Sequence, residues 1–99
     1  MWRVEFSPTA VQALDRLPMR IAGAIVEFCT TVLPTNPRRM TKQLRGDLAD
    51  WHVARRGDYR VFVQFHETMG GQAATVEDED GVLLIGRVEH RAHAYRPRG

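Results

Sequence analysis

The stretch WHVARRGDYRVFV, residues 51–63, decides the fold. It predicts two antiparallel strands joined by a two-residue Gly-Asp turn at 57–58, because such a turn between runs of strand-forming residues is typical of a β-hairpin. Three arginines, Arg55, Arg56 and Arg60, crowd this turn. Like charges this close repel one another, so a purely structural hairpin gains little from them. The hairpin therefore raises the question of what its arginines bind.

Alternation of side chains along the hairpin predicts one apolar face and one basic face. In the second strand the apolar set is Tyr59, Val61, Val63 and Phe65, and the opposite set is Arg60, Phe62, Gln64 and His66. In the first strand, His52 shares a face with Arg56, while Arg55 alternates to the side expected to meet helices. We therefore expect Arg55 to lie at the rim of the sheet.

The N-terminal part predicts a strand and two helices. WRVEF, residues 2–6, alternates and is rich in strand formers. Ser7 is suited to cap a helix and Pro8 to begin it, and a second helix is expected from Pro18 to about Leu33, where Pro34 ends it. Helical spacing predicts an apolar stripe on both helices, made of Ala10, Leu14, Leu17, Ile21, Ile25, Phe28 and Val32.

The remaining segments predict a connector, a long loop and a last strand. Residues 34–50 are polar and carry four basic side chains, Arg38, Arg39, Lys42 and Arg45. Residues 67–81 contain the acidic run EDED and are expected to form a solvated loop. Strict alternation in the last strand, VLLIGRVEH, groups Val82, Leu84 and Val88 on one face and Leu83, Ile85, Arg87 and Arg91 on the other.

These elements predict a single α+β domain spanning residues 1–99. A small antiparallel β-sheet contains the N-terminal strand, and an α-helical hairpin packs on one face, in the order β-α-α-β-β-β. The hydrophobic fraction of 43% is that of an ordinary globular protein. The opposite face of the sheet is expected to be open and basic.

Several classes of function lack a sequence signature. Cys29 is the single cysteine and lies in the middle of a predicted helix, so we expect a buried thiol and no disulfide. His90 and His93 point in opposite directions on an extended chain, so no metal site is expected, and no phosphate-loop or dinucleotide motif indicates a cofactor. No apolar run approaches the roughly 20 residues of a membrane span, and the first residues, MWRVEFSP, lack the apolar stretch of a secretory signal, so we expect a cytoplasmic protein.

Arginine is the notable feature of the composition, because 13 of the 14 basic residues are arginine and Lys42 is the exception. One interpretation is a solvated basic face. The other is a phosphate site, because guanidinium groups bind phosphate in a bidentate manner. Arg91 and Arg96 flank the segment AHAY, so that Tyr95 and histidines are interleaved with cations. Cations suit the backbone of RNA and rings suit its unpaired bases.

With these motifs assembled, the chain resembles the RelE toxin family of type II toxin–antitoxin modules, within the RelE/ParE superfamily, and is most similar to actinobacterial members. The similarity covers nearly the whole chain. It rests on KQLRGDL at 42–48 and most specifically on ARRGDYRVFV at 54–63 and VEHRAHAYR at 88–96. The first strand and helical hairpin also look like those of the family.

The resemblance implies an mRNA endoribonuclease that acts in the ribosomal A site and is neutralised by a co-encoded antitoxin of the RelB, Phd or YefM type. The implied reaction needs neither metal nor cofactor: the ribose 2′-OH attacks the adjacent phosphate and the 5′-oxygen leaves.

By the same resemblance, Arg60 and Arg91 clamp the phosphate, followed by Arg56, and Tyr95 takes the 2′-OH proton, stacks on a base, or does both. Some members carry lysines on the strand before the hairpin, where this chain has His52 and Ala54. Because His52 shares its predicted face with Arg56, it is our candidate for the general acid, and His93 is the alternative. The side chains expected to bind RNA are Arg55, Lys42, Arg45, Arg87, His93 and Arg96.

Two alternatives from other functional classes stay open. A ParE-like toxin would share the fold, bind DNA gyrase and cut no RNA. A catalytically inactive chain would serve only as a folded binding module for its antitoxin.

Overall fold

The computed structural model describes residues 2–67 and 80–92 and has the predicted α+β architecture. The strands are β1 (Trp2–Phe6), β2 (Thr41–Gln43), β3 (His52–Arg56), β4 (Tyr59–Glu67) and β5 (Gly81–His90). The helices are α1 (Pro8–Asp15), α2 (Met19–Glu27) and the short α3 (Pro37–Met40). The five strands lie in the order β1-β5-β4-β3-β2. None of the helices in these two ranges is long and apolar enough to cross a membrane.

The sheet is mixed rather than wholly antiparallel as predicted. β5 lies between β1 and β4; it is antiparallel to β4 but runs parallel to β1. β2 was not predicted, because its three residues Thr41–Gln43 are too few and too polar to carry a strand pattern. It pairs with β3 at the far edge of the sheet. The connector 34–50 therefore contains α3, β2 and a short turn of 3-10 helix at Gly46–Leu48 rather than only a loop.

The predicted start of the helical hairpin is confirmed. The Ser7 hydroxyl accepts a hydrogen bond from the backbone N–H of Ala10 at 3.1 Å, which satisfies one of the free donors at the start of α1. The same hydroxyl donates to the carbonyl of Gly86 at 2.8 Å. Ala10 and Leu14 are buried. Ser7 therefore fixes the start of α1 against β5 as well as capping it.

The second helix ends differently from the prediction. After α2 the chain continues as a π-helical turn at Phe28–Val32 and a turn of 3-10 helix at Leu33–Thr35. The wider π turn rotates the following side chains, so Val32 is 43% exposed while Cys29 and Leu33 are buried. The prediction that Val32 continues the buried stripe is therefore wrong. The predicted burial of Cys29 is confirmed, and burial raises the pKa of its thiol to about 12.

The main core lies between the helices and one face of the sheet. The residues that fill it are Ala10, Leu14, Ile25, Cys29, Leu33, Ala54, Val61, Val63, Leu83, Ile85 and Val88. A smaller apolar cluster lies on the other face, which we call the open face. There Val53 and Phe62 are buried beneath Leu44 and Trp51.

A β-bulge in β5 explains why strict alternation predicts its faces incorrectly. Phe62 pairs with Arg87 but Val63 pairs with Ile85, so Gly86 is an extra residue in the ladder. The bulge lets Ile85 and Val88 both face the main core. It also separates Arg87 from Leu83 and Ile85, with which alternation had grouped it. Beyond the bulge, Arg87 lies on the open face beside Phe62.

Gly86 is also required by the side chain that covers it. A Cβ atom placed on Gly86 would lie 2.2 Å from Cη2 of Trp51 and 2.4 Å from its Cζ3. These atoms form the rigid end of the indole ring, so the contact cannot be relieved by a small rotation of a flexible side chain. The close approach therefore holds Trp51 over the open-face cluster.

Substitution of Gly86 by alanine should therefore destabilise the fold. We expect Gly86→Ala to lower the free energy of unfolding by about 1–3 kcal/mol, the usual cost of overpacking. The measurement is the urea unfolding curve followed by tryptophan fluorescence. Gly23→Ala is the matched control, because nothing lies within 4 Å of its Cβ position in α2. That substitution should stabilise the protein by about 0.5–1 kcal/mol. Equal effects of the two substitutions would contradict the packing argument.

Candidate functional site

A row of three charged residues crosses the open face near the hairpin turn. Arg55 of β3 lies directly opposite Arg60 of β4, and Arg60 lies directly opposite Glu89 of β5. Directly opposed residues point to the same face, with Cβ atoms about 4.5–5.5 Å apart. The prediction that Arg55 points to the helix side is therefore wrong. The reason is register: Ala54, not Arg55, pairs with the core residue Val61.

Arg60 is held in a partly buried position. Its Nη1 donates to the carbonyl of Tyr59 at a long 3.4 Å. Its Nε is buried and makes no hydrogen bond within the described ranges. A buried guanidinium donor without an acceptor is costly, so such atoms usually indicate a missing partner. An anion on the open face would supply that acceptor.

Sequence reasoning overlooked Glu89. Its carboxylate forms an ion pair with Arg87, and only 15% of the Glu89 side chain is exposed. The guanidinium of Arg87 lies over the ring of Phe62, 5.2 Å from its centroid. The bulge at Gly86 brings Glu89 to this face, and strict alternation through that position hides it. The signal that would have revealed it is a glycine in the interior of a strand.

A basic groove extends from this row toward the edge of the sheet. It has a volume of about 580 Å³ and carries four cationic side chains and no carboxylate. The cationic side chains are Arg39, Lys42, Arg45 and Arg55. Lys42 lies on the open face because it pairs with Val53. Three predicted RNA-binding residues therefore share one groove, and Arg39 is an addition to them.

Arg91 contacts the hairpin turn through Asp58. The backbone N–H of Arg91 donates to the carbonyl of Asp58 at 2.7 Å, and its Nε lies 3.7 Å from the Asp58 carboxylate. Both side chains are 65% exposed. Such an exposed pair contributes little to stability and is easily exchanged for another anion. Arg91 is therefore close to the hairpin row but free to reorient.

The structure separates His52 and Arg56 from Arg60. The two do share a face as predicted, but it is the helix side, because His52 pairs with Val63 and Arg56 pairs with Tyr59. The expectation that His52 faces the same substrate as Arg60 is therefore wrong. Arg56 belongs to the last residue pair before the turn, and its side chain is exposed on the helix side.

His52 instead belongs to an aromatic cluster on the helix side. Its ring lies 4.6 Å from that of Phe65, and Trp2 meets Phe65 edge to face at 5.3 Å. The guanidinium of Arg38 lies 4.7 Å from the centre of the Phe65 ring and forms an ion pair with Glu67. Burial, and secondly the charge of Arg38, lower the pKa of His52 below its ordinary value of 6.5. His52 is thus kept neutral.

Three predicted site residues, His93, Tyr95 and Arg96, lie outside the described residues, and so do residues 68–79 of the predicted acidic loop. Within the described ranges, the open face carries guanidinium groups, which are suited to binding a phosphodiester, and the carboxylate of Glu89 beside them. That combination suits binding and transesterification of RNA.

Comparison with known proteins identifies relatives of this chain. Residues 4–95 match the family described as ParE toxin of type II toxin-antitoxin system, parDE. Toxin RelG of Mycobacterium tuberculosis is 39% identical over 95 residues, which cover 96% of this chain and 97% of that protein. Toxin RelE of the same organism is 52% identical over 60 residues, 61% of this chain and 62% of that protein.

Solved structures give the same result for the fold. A chain of the toxin–antitoxin complex RelBE2 from Mycobacterium tuberculosis is similar with a TM-score of 0.75 and 38% identity, over 92% of each chain. YafQ from Escherichia coli is similar with a TM-score of 0.54, over 97% of this chain and 100% of that one. At 12% identity, YafQ supports the fold alone.

The position of His52 makes stability depend on pH. Because its pKa is lowered on folding, the unfolded chain binds a proton more readily than the folded one. Stability should therefore fall as the pH drops through about 6.5 toward the lower pKa of the folded state. We expect the urea midpoint of the wild type to decrease more steeply between pH 7 and pH 5 than that of His52→Gln.

The control for this prediction is His66→Gln, which removes an exposed histidine from β4. Its urea midpoint should follow the wild type as the pH falls. Parallel curves for the wild type and His52→Gln would show that the cluster does not keep His52 neutral.

Proposed function

Because this chain belongs to the RelE/ParE family of toxins from type II toxin–antitoxin systems, we propose that it is an endoribonuclease that cuts mRNA on the ribosome. The reaction is attack of a ribose 2′-OH on the adjacent phosphate with departure of the 5′-oxygen. It takes place in the cytoplasm, where translated mRNA lies, and it uses protein side chains without a metal.

The observation that carries the proposal is Arg60 and its surroundings. Arg60 lies directly opposite Arg55, and its Nε is buried without a hydrogen-bond acceptor in the described ranges. The folded protein thus keeps two arginines directly opposite each other on neighbouring strands, although like charges in such a pair are unfavourable. A bound phosphodiester removes the repulsion and supplies the missing acceptor.

The same arrangement favours the transition state over the substrate. A phosphodiester carries about one negative charge, and the pentacoordinate transition state approaches two. Arginines already in place bind the more highly charged species more tightly, which lowers the barrier. By the family resemblance, Arg91 is the second clamp, and Tyr95 takes the 2′-OH proton, stacks on a base, or does both. Arg91 must exchange Asp58 for the phosphate.

The basic groove provides the path for the flanking nucleotides. Its volume of about 580 Å³ and its four cations suit a strand of RNA whose phosphates follow β2 and β3. Arg55 belongs both to the groove and to the charged row, so the groove leads directly to Arg60. The ribosome presents the strand to the groove. The RelBE2 toxin is solved in complex with its antitoxin, and we propose that a co-encoded antitoxin of the RelB, Phd or YefM type covers this chain in the same way.

A first experiment tests the phosphate clamp. Wild type and Arg60→Ala are added to ribosomes that carry a defined mRNA, and new 5′ ends are mapped over time. Loss of one guanidinium should slow cleavage by about 10²–10³-fold, because a single transition-state donor is removed. Arg3→Ala is the matched control, because Arg3 pairs with Glu5 away from this site. It should cut at the wild-type rate.

Two outcomes would contradict the proposal. If wild type leaves the mRNA intact but arrests growth with an SOS response, the chain acts on DNA gyrase, as a ParE-like toxin would. If wild type is harmless at high expression, it serves only to bind its antitoxin. A folded Arg60→Ala that cuts at the wild-type rate would remove Arg60 from the mechanism.

A second experiment tests the groove. Replacement of both Lys42 and Arg45 by alanine should raise KM with little change in kcat, because these cations bind substrate and transition state equally. The slope of log affinity against log salt concentration should decrease by about 0.7 for each phosphate contact removed. Binding of a short single-stranded RNA at several salt concentrations measures it. An unchanged salt slope would show that RNA does not occupy the groove.

A further inference from the structure

We propose that Glu89 is the general base of this reaction, the group that takes the proton from the attacking 2′-OH. This inference rests on the proposed function and names a catalytic residue that the family resemblance does not supply. It is carried by the geometry of the charged row, by the partial burial of Glu89 and by its ion pair with Arg87.

The position of Glu89 beside Arg60 suits a general base. Glu89 lies directly opposite Arg60, on the side away from Arg55. A phosphate bound by Arg60 therefore has a second arginine on one side and a carboxylate on the other. The ribose that carries the attacking 2′-OH is joined to that phosphate. The Cβ atoms of Arg60 and Glu89 lie about 4.5–5.5 Å apart, as in any directly opposed pair. We therefore expect the 2′-OH to come within reach of the Glu89 side chain.

Chemistry is the second argument. An arginine keeps its proton under all conditions in a protein and cannot act as a base. Among the described residues of the charged row and its ion pairs, Glu89 has the carboxylate that is adjacent to Arg60. Asp58 lies at the turn and pairs with Arg91. His52, the candidate for the general acid, lies on the opposite face of the sheet.

Orientation is the third argument. One carboxylate oxygen of Glu89, Oε2, is bound by Nη2 of Arg87, and Arg87 in turn lies over the ring of Phe62. Phe62 is 3% exposed, so the support beneath Arg87 is rigid. A base held by a third group that is itself fixed is the arrangement that nucleophile activation requires. Arg87 is thus a positioning residue for Glu89.

In the proposed step, a carboxylate oxygen of Glu89 accepts the 2′-OH proton while the 2′-oxygen forms a bond to phosphorus. The bond between phosphorus and the 5′-oxygen breaks, and the leaving oxygen takes a proton from water. The products are a 2′,3′-cyclic phosphate and a free 5′-OH. The proton on Glu89 then passes to solvent, so no oxidant, metal or other reactant is needed.

The test compares Glu89→Gln with wild type in single-turnover cleavage on ribosomes that carry a defined mRNA. Glutamine preserves the shape of the side chain but cannot accept the proton. We expect the cleavage rate at saturation to fall by about 10²–10⁴-fold with little change in KM. Glu89→Asp, which keeps a carboxylate, should recover part of the rate. Unfolding curves for both variants verify that they fold.

The chain offers a matched control in Glu5→Gln. Glu5 pairs with Arg3 two residues away on the open face, just as Glu89 pairs with Arg87, but it lies on β1 at the edge of the sheet. Its replacement should leave the cleavage rate unchanged. A similar loss of rate in both variants would attribute the effect to general electrostatics and overturn the assignment.

The pH dependence of the cleavage rate distinguishes a general base from a residue that only supports the fold. Within residues 2–67 and 80–92, Arg60 lies opposite Glu89 on β4 and Arg87 forms an ion pair with it, and Arg16, the residue after α1, lines the same cavity of about 260 Å³. A protonated carboxylate cannot accept the 2′-OH proton, so we expect the wild-type cleavage rate to decrease at acidic pH. Glu89→Gln should lack that decrease. If Tyr95→Phe lacks it instead, the phenol is the base and the proposal is wrong.

The outcomes separate this inference from the proposed function. If wild type cuts, Arg60→Ala is slow and Glu89→Gln cuts normally, the reaction is right and the base is wrong. If Glu89→Gln binds RNA more tightly and cuts faster, Glu89 is only a counter-ion of the arginines. If wild type cuts nothing, both proposals fail together.

Discussion

The β-bulge at Gly86 is the constraint on which both faces of the sheet depend. Without the extra residue, β5 could not give Ile85 and Val88 to the same core. The same bulge turns Arg87 and Glu89 toward the open face. Its glycine also admits the indole ring of Trp51, which covers the apolar cluster under that face. The cap of α1 depends on it too, because Ser7 donates to the Gly86 carbonyl. One residue thus links core, helix and site.

The open face combines an apolar support with two arginines that lie directly opposite each other. Phe62 and Val53 are buried beneath Trp51 and Leu44, so the strands that carry the arginines cannot shift easily. On this support, Arg55 and Arg60 lie side by side despite their repulsion. Their cost to folding is small compared with the burial of the main core, and a bound anion would offset it. The main core thus lies on one face of the sheet and the opposed arginines lie on the other.

The sequence predicted features that follow from local periodicity and failed where long-range register decides. The hairpin turn, the Ser7 cap and the burial of Cys29 depend on near neighbours, and all three are confirmed. The faces of Arg55 and His52 depend on which residue of β3 lies opposite Val61, and alternation within one strand cannot determine that. Val32 was misplaced because a π turn changes the helical period. Nothing in the local pattern of residues 28–32 signals such a turn.

Some related toxins carry lysines on the strand before the hairpin, and this chain does not. Sequence order suggested that His52 and Ala54 replace them, but both positions face the core side of the sheet. On the open face β3 offers Val53 and Arg55, and Val53 is buried beneath Trp51. In the reaction that we propose, the 2′-OH proton would then be accepted from another part of the chain. β5 carries Glu89 at the level of Arg60, and Arg87 forms an ion pair with it. Under this proposal, the difference on β3 is matched by a carboxylate on β5, as a reaction that needs both a clamp and a base requires.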